Sequence, residues 1–179
     1  MKPGDCRVVD TNVLLIANEQ HPGVSPSCLL ACVDALNQLR IQGCIAIDDS
    51  NEILREYGRR TAPNTGNRVG DAFLKWVLQN TGTPSRVHLV AVTKRPDGSF
   101  AEFPDDEELM EFDLADRKFV AVSAAHPKLP PILQGSDSKW AKWSGSLSKY
   151  GISVEFLCPV EVDSFLKRKR RKKASTSST

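Results

Sequence analysis

The chain has 179 residues, 40% of them hydrophobic, enough for one compact domain with its own core and short for two. Its net charge of +2 hides an asymmetry: the run KRKRRKK at 167–173 holds 7 of the 24 basic residues, leaving a body of 17 basic against 22 acidic residues, net −5. No 18 apolar residues run together and MKPGDCRVVD has no apolar signal core, so a membrane span and secretion are not expected; five cysteines, with neither a CxxC pair nor Cys/His ligand spacing, fit a reduced cytoplasmic protein.

In chain order, Cys6 to Val9 reads as a short buried strand and Thr11 to Ala17 as a helical turn or two, with Asp10 at the junction. Ser25 as a cap, Pro26 at the first helical position and Leu29, Cys32, Val33, Leu36 and Leu39 at helical spacing predict an amphipathic helix ending near Gln42-Gly43. A second apolar run, Cys44 to Ile47, precedes Asp49-Ser50-Asn51-Glu52, a capping-box-like start to a helix through Ile53, Leu54 and Tyr57. A helix follows over Arg68 to Gln79. Val87 to Thr93 and Ser99 to Phe103 flank Arg95-Pro96-Asp97-Gly98, whose turn chemistry predicts a β-hairpin. Next come a helix from Leu114 to Ala125, a strand from Ile132 to Gln134, a helix from Lys139 to Tyr150 and a strand from Ser153 to Leu157. The alternation predicts an α/β fold, a mostly parallel central sheet covered on both faces, with one hairpin insert. Residues 1–166 form the folded domain and 167–179 a basic, disordered tail.

Four acidic positions stand where strands end or helices begin: Asp10, Glu56, Asp116 (with Asp113 three residues earlier) and Asp137. In an α/β domain such places build ligand sites. Carboxylates gathered there repel one another, so their convergence calls for a divalent cation. Each also has a plainer reading: Asp10, Asp113 and Asp137 as helix caps, Glu56 as a surface partner of Arg60. Trp140 and Trp143, three apart on a helix, are expected to pack against the sheet rather than stack on bases. The histidines, His21, His88 and His126, read as isolated, and no histidine acid–base pair or zinc site is expected. No GxxxxGK[ST] loop, GxGxxG turn or GxSxG elbow occurs, which disfavours an NTPase, a dinucleotide enzyme and a serine hydrolase. Asn12, two residues after Asp10, stands where a haloacid-dehalogenase phosphatase needs a second Asp.

Strand-Asp-Thr-Asn-Val-Leu, a helical Glu after the second strand, an Asp opening the helix in ADRKFVAVSAAH, and Asp137 followed by Ser and Trp before YGISVEFLCP together resemble the PIN-domain (PilT N-terminus) nuclease family over about residues 6–166. The resemblance implies a three-layer α/β/α sandwich and a Mg²⁺- or Mn²⁺-dependent nuclease, most often a ribonuclease on single-stranded RNA, in many bacterial members the toxin paired with an antitoxin. Asp10, Glu56, Asp116 and Asp137 match the family's acidic positions as catalytic and metal-holding residues, and Asn12 its neighbouring polar one. Lys139 departs from the pattern, standing where many members carry another acid; whether Asp113 compensates is left open. Arg117, Lys118 and the tail residues Lys167, Arg168, Lys169, Arg170 and Arg171 are candidates for gripping nucleic acid. Homo-oligomerisation is a further expectation from resemblance. The competing readings are a catalytically weak nucleic-acid-binding scaffold, supported by Lys139 and the tail, and a DNA nuclease.

Overall fold

A computed structural model describes residues 4–176, with side chains as far as Lys167. Five strands, β1 (Cys6–Val9), β2 (Cys44–Asp48), β3 (Val87–Val90), β4 (Ile132–Gln134) and β5 (Val154–Phe156), form one all-parallel sheet in the order β3-β2-β1-β4-β5. Parallel neighbours need crossovers. These come from α1 (Thr11–Ala17), α2 (Pro26–Gln42), α3 (Glu52–Arg60), α4 (Val69–Asn80), α5 (Arg117–Ala125) and α6 (Lys139–Ser148), while α7 (Pro159–Thr176) follows the last strand. α1, α2 and α4 pack on one another, and α5 covers β1, β2 and β4, giving the α/β/α sandwich. No helix among the described residues is long and apolar enough to cross a membrane.

Why these residues form these elements is largely local. β2 is buried at every position, as a central strand covered on both faces must be, and its sequence CIAID is correspondingly apolar until the last residue. α2 begins where expected: the Ser25 hydroxyl accepts from Cys28 N–H at 3.2 Å, Pro26 needs no hydrogen-bond partner at the first position, and Gly43 closes the helix. Its Leu36 and Leu39 are fully buried, each worth roughly 1.5–3 kcal/mol of transfer free energy.

The strand order positions everything that follows. The chain builds outward from β1 to β2 and β3, then returns to the other side of β1 for β4 and β5. The direction therefore reverses between β1 and β4, the topological switch point where doubly wound folds open a crevice beyond the carboxyl ends of the strands. Asp10 immediately follows β1, and Asp137 lies three residues beyond β4.

Several expectations are corrected. The hairpin reduces to one antiparallel bridge, Lys94 with Phe100, around a turn in which Gly98 takes a left-handed φ of 84°; Val87–Val90 is instead the parallel edge strand. α3 is not opened by a capping box. Asn51 makes no side-chain cap, and Asp48, the end of β2, accepts from Glu52 N–H (2.6 Å), Ile53 N–H (2.8 Å) and the Ser50 hydroxyl (2.6 Å). α5 starts at Arg117 rather than Leu114, because residues 113–116 form a turn. The tail is helical as far as Thr176, continuing α7 where disorder was expected; residues 177–179 lie outside the described residues. The cysteines are not all reduced: Cys6 is joined to Cys44 and Cys28 to Cys158, leaving Cys32 free and buried. Adjacent strands in register bring the Cα atoms of the first pair to 4.5 Å, within disulfide reach.

Candidate functional site

The β1/β4 switch point gathers the four acidic positions into mutual electrostatic range. Asp10 is 5% exposed, its backbone N–H donates to Leu133 O on β4 at 3.0 Å, and its Oδ1 caps α1 by accepting from Asn12 N–H at 2.7 Å. Burial pushes its carboxyl up to about 8, and the charges of Asp116, Glu56 and Asp137 add to the shift against the opposing Asn12 N–H. Asp116, half-buried at the start of α5, is raised to about 6 by burial and by Asp113, with Lys118 opposing and Asp137 and Glu56 adding. Asp10 is therefore a helix cap that also stands among the other acids.

Glu56 is not a surface partner of Arg60. Its Oε1 accepts from the Thr11 hydroxyl at 2.6 Å and its Oε2 lies 2.6 Å from Lys118 Nζ, so one carboxylate ties α1, α3 and α5 together. Lys118, expected at the nucleic-acid surface, is instead 7% exposed, donates also to Ala115 O and sits over the Phe119 ring. Arg117 is likewise turned inward, donating to Phe112 O, Ser99 Oγ and Met110 O and stacking over Phe103 at 4.6 Å. A guanidinium held by three acceptors and a ring is a strut for the 99–117 segment rather than a phosphate hook.

The loop after β4 is shaped by contact with α1. Asn12 Oδ1 accepts from Ser136 N–H at 3.0 Å, and a Cβ on Gly135 would stand 2.4 Å from that same oxygen and 2.5 Å from Ile16 Cδ1, so only glycine allows this approach. Asn12 thereby positions the segment that carries Asp137. Asp137 Oδ1 accepts from Lys139 N–H at 2.9 Å, while the Lys139 ammonium reaches out to Asp113 at 3.8 Å, an exposed pair of small energetic weight. Asp113 itself closes the 113–116 turn by accepting from Ala115 N–H, leaving Asp116 without a capping role. Trp140 is buried edge-on against Phe112, a packing residue as its spacing implied.

Sequence reading missed some contributors. Tyr57 is fully buried and donates its hydroxyl to Val9 O, directly before Asp10; burial first, then Asp10, Glu56 and Asp48, raise it well above the usual phenol range. The Ser136 hydroxyl and Gln134 Nε2 are buried without a partner around the same β4 exit. His88 and His126 are not isolated: Nδ1 of one lies 2.8 Å from Nε2 of the other. Lys167 is exposed on α7, and the side chains of Arg168, Lys169, Arg170 and Arg171 lie outside the described residues.

As a donor set, Asp10, Asp116, Asp137 and Glu56 offer only oxygen, the chemistry of a hard cation such as Mg²⁺ or Mn²⁺. A second positive charge would offset the burial and the repulsion that raise Asp10 and Asp116, and the donors fit it in kind. They are spread rather than clenched. Among the described residues, the groups with three ligand atoms within 4.8 Å of one another are Cys6/His88/His126 and Cys28/Cys32/Cys158, not the acidic quartet. Comparison with protein-family models, with curated proteins and with solved structures finds no match to this chain.

Proposed function

We propose that this chain is a divalent-cation-dependent nuclease of the PIN type, hydrolysing phosphodiester bonds in single-stranded nucleic acid, with RNA the favoured substrate. The observation that carries the reading is Asp10: a carboxyl at the carboxyl end of the central strand, buried beside three other acids and raised to about 8. A purely structural carboxylate has its oxygens filled by donors, as those of Asp48 are by three. Asp10 has one, which suits a group awaiting a cation.

Asp10, Asp116 and Asp137 would hold Mg²⁺ or Mn²⁺, with Glu56 shared between it and Lys118. Bound there, the ion supplies Lewis-acid neutralisation of phosphate charge and a water acidic enough to attack at neutral pH. The chain's own residues do the positioning. Asn12 holds the β4 exit loop through Ser136 N–H, Tyr57 braces the carbonyl before Asp10, and Thr11 orients Glu56. Lys118 supplies a positive charge inside the acidic group and keeps Glu56 compensated when phosphate is absent. The toxin and antitoxin readings rest on the family resemblance alone.

A second reading is favoured by one observation. The Lys118 ammonium already serves Glu56 as a counter-ion, which fits a catalytically weak scaffold that binds nucleic acid without turnover. Cleavage of labelled single-stranded RNA and DNA with Mn²⁺, Mg²⁺ or EDTA, beside Asp10→Asn and Asp116→Asn, separates the two. Metal-dependent products lost in both variants support the nuclease and choose its substrate. Salt-sensitive binding without products under every condition supports the scaffold.

A further inference from the structure

The amino-terminal end of the sheet, away from the acidic crevice, carries a second cluster of chemistry-bearing side chains. Cys6 on β1 is in register with Cys44 on β2, and Ala46 on β2 with His88 on β3. Side chains two apart on a strand share a face, so Cys6, Cys44 and His88 lie on one side of the sheet. His126, at the end of α5, comes to the same place: its Nε2 is 2.8 Å from His88 Nδ1, with the rings stacked at 5.1 Å. Cys6, His88 and His126 bring one ligand atom each to within 4.8 Å of one another, and the Cys44 sulfur is bonded to that of Cys6.

The geometry points to a Zn²⁺ site made by Cys6, Cys44, His88 and His126, open in the reduced chain and closed when the two cysteines are joined. Two thiolates and two imidazoles are the donor set of structural zinc, and three of the four residues are buried. Opening requires a two-electron reductant: two electrons and two protons go to the Cys6–Cys44 bond, giving two thiols, while a dithiol becomes a disulfide or a phosphine, with water, becomes its oxide. Each thiol then gives its proton to water as the ion binds. His88 Nδ1 already presents a lone pair, since it accepts from His126 in the tautomer where Lys128 N–H donates to His126 Nδ1 at 3.1 Å. Ligation by His126 Nε2 moves that ring proton to Nδ1 and opens the Lys128 bond, a small loss beside the binding of a structural zinc. Burial, with His88 and Lys128 adding, holds His126 below its ordinary pKa and so as the neutral imidazole a metal needs.

The test is a Co²⁺ titration of the full chain, reduced with a phosphine under argon. One equivalent is expected to bind with thiolate-to-cobalt charge-transfer and tetrahedral d–d absorption, and Zn²⁺ to displace it. The oxidised chain and Cys6→Ser should show neither band, and His88→Gln and His126→Gln should each weaken binding by about tenfold or more. The bands should persist in Asp10→Asn, which separates this site from the acidic crevice, and in a Cys28→Ser, Cys32→Ser, Cys158→Ser triple variant. Absence of the bands in the reduced chain, or their survival in Cys6→Ser, overturns the assignment. Should the triple variant lose its native circular dichroism, an unaltered Co²⁺ affinity in His126→Gln overturns it alone.

Discussion

Lys118 on α5 places its ammonium 2.6 Å from Glu56 Oε2 on α3, almost wholly shielded from water and close enough to act on the Asp116 carboxyl. Lys118 thus brings a positive charge among the acids of the crevice. The pair also ties two helices that approach the crevice from different parts of the chain.

Replacing Lys118 by Met leaves Glu56 uncompensated, at a cost of about 2 kcal/mol in the absence of divalent ions. Because a bound cation would then take over the counter-charge, millimolar Mn²⁺ is expected to recover more stability in Lys118→Met than in the parent chain. Urea unfolding of both proteins with Mn²⁺ and with EDTA measures this. Equal metal responses would remove Lys118 from any competition with a cation.

Asp10 makes the pH dependence of stability specific. Its folded value of about 8 lies above its ordinary 3.8, so between those values the folded chain binds a proton that the unfolded chain has released. Stability from this group is therefore full below about pH 4 and is lost as pH rises towards 8, at a limiting slope of about 1.4 kcal/mol per pH unit. Asp116 acts in the same direction over the narrower window from 3.8 to about 6. In EDTA, the parent chain minus Asp10→Asn should show a stability difference that grows more unfavourable to the parent from pH 5 to pH 8. A difference independent of pH would mean that Asp10 is ionised throughout.

Asp48 ends a strand, Asp10 directly follows one, and both cap the next helix, yet opposite outcomes are expected from replacing them. Asp48→Ala strips acceptors from Glu52 N–H, Ile53 N–H and the Ser50 hydroxyl and should cost about 2 kcal/mol. Asp10→Asn keeps a cap for Asn12 N–H and removes a repelled carboxyl, so near pH 8 it should leave the fold equally or more stable while abolishing metal-dependent cleavage. Thermal melts together with the cleavage assay separate the two residues; comparable destabilisation would make Asp10 a cap only.

Two glycines should respond in opposite ways to alanine. At Gly135 the added Cβ meets Asn12 Oδ1 and Ile16 Cδ1, so Gly135→Ala should destabilise by about 1–3 kcal/mol and disturb the Asp137 loop. At Gly145, within α6, nothing stands within 4 Å, and Gly145→Ala should stabilise by about 0.5–1 kcal/mol through helix propensity. Chemical denaturation reads both, and a neutral Gly135→Ala would show that the β4 exit loop is free to move off α1.

The amino-acid order by itself determined the alternation of strands and helices and the bounds of α2 and β4. Those features are local: a serine cap followed by proline, a 3.6-residue apolar stripe and a short apolar run act within a few residues of themselves. Two of its errors were local as well. The basic run after residue 166 was read from composition as disordered, yet it continues a helix that begins at Pro159. The capping of α3 was assigned to Asp49-Ser50-Asn51-Glu52, because nothing local distinguishes those residues from Asp48, whose side chain does the work once β2 is buried.

Only the tertiary structure decided which acids are neighbours and which cations are exposed. Arg117 and Lys118 are adjacent basic residues beside Asp116 and look like a phosphate grip in sequence. Both are engaged within the fold, Arg117, half-buried, with Phe103 and the Phe112 carbonyl, and the buried Lys118 with Glu56. His88 and His126, 38 residues apart, likewise become a pair. Contacts of this length depend on strand order and helix crossovers, which are settled by burial of the whole core and leave no periodic trace near the residues they join.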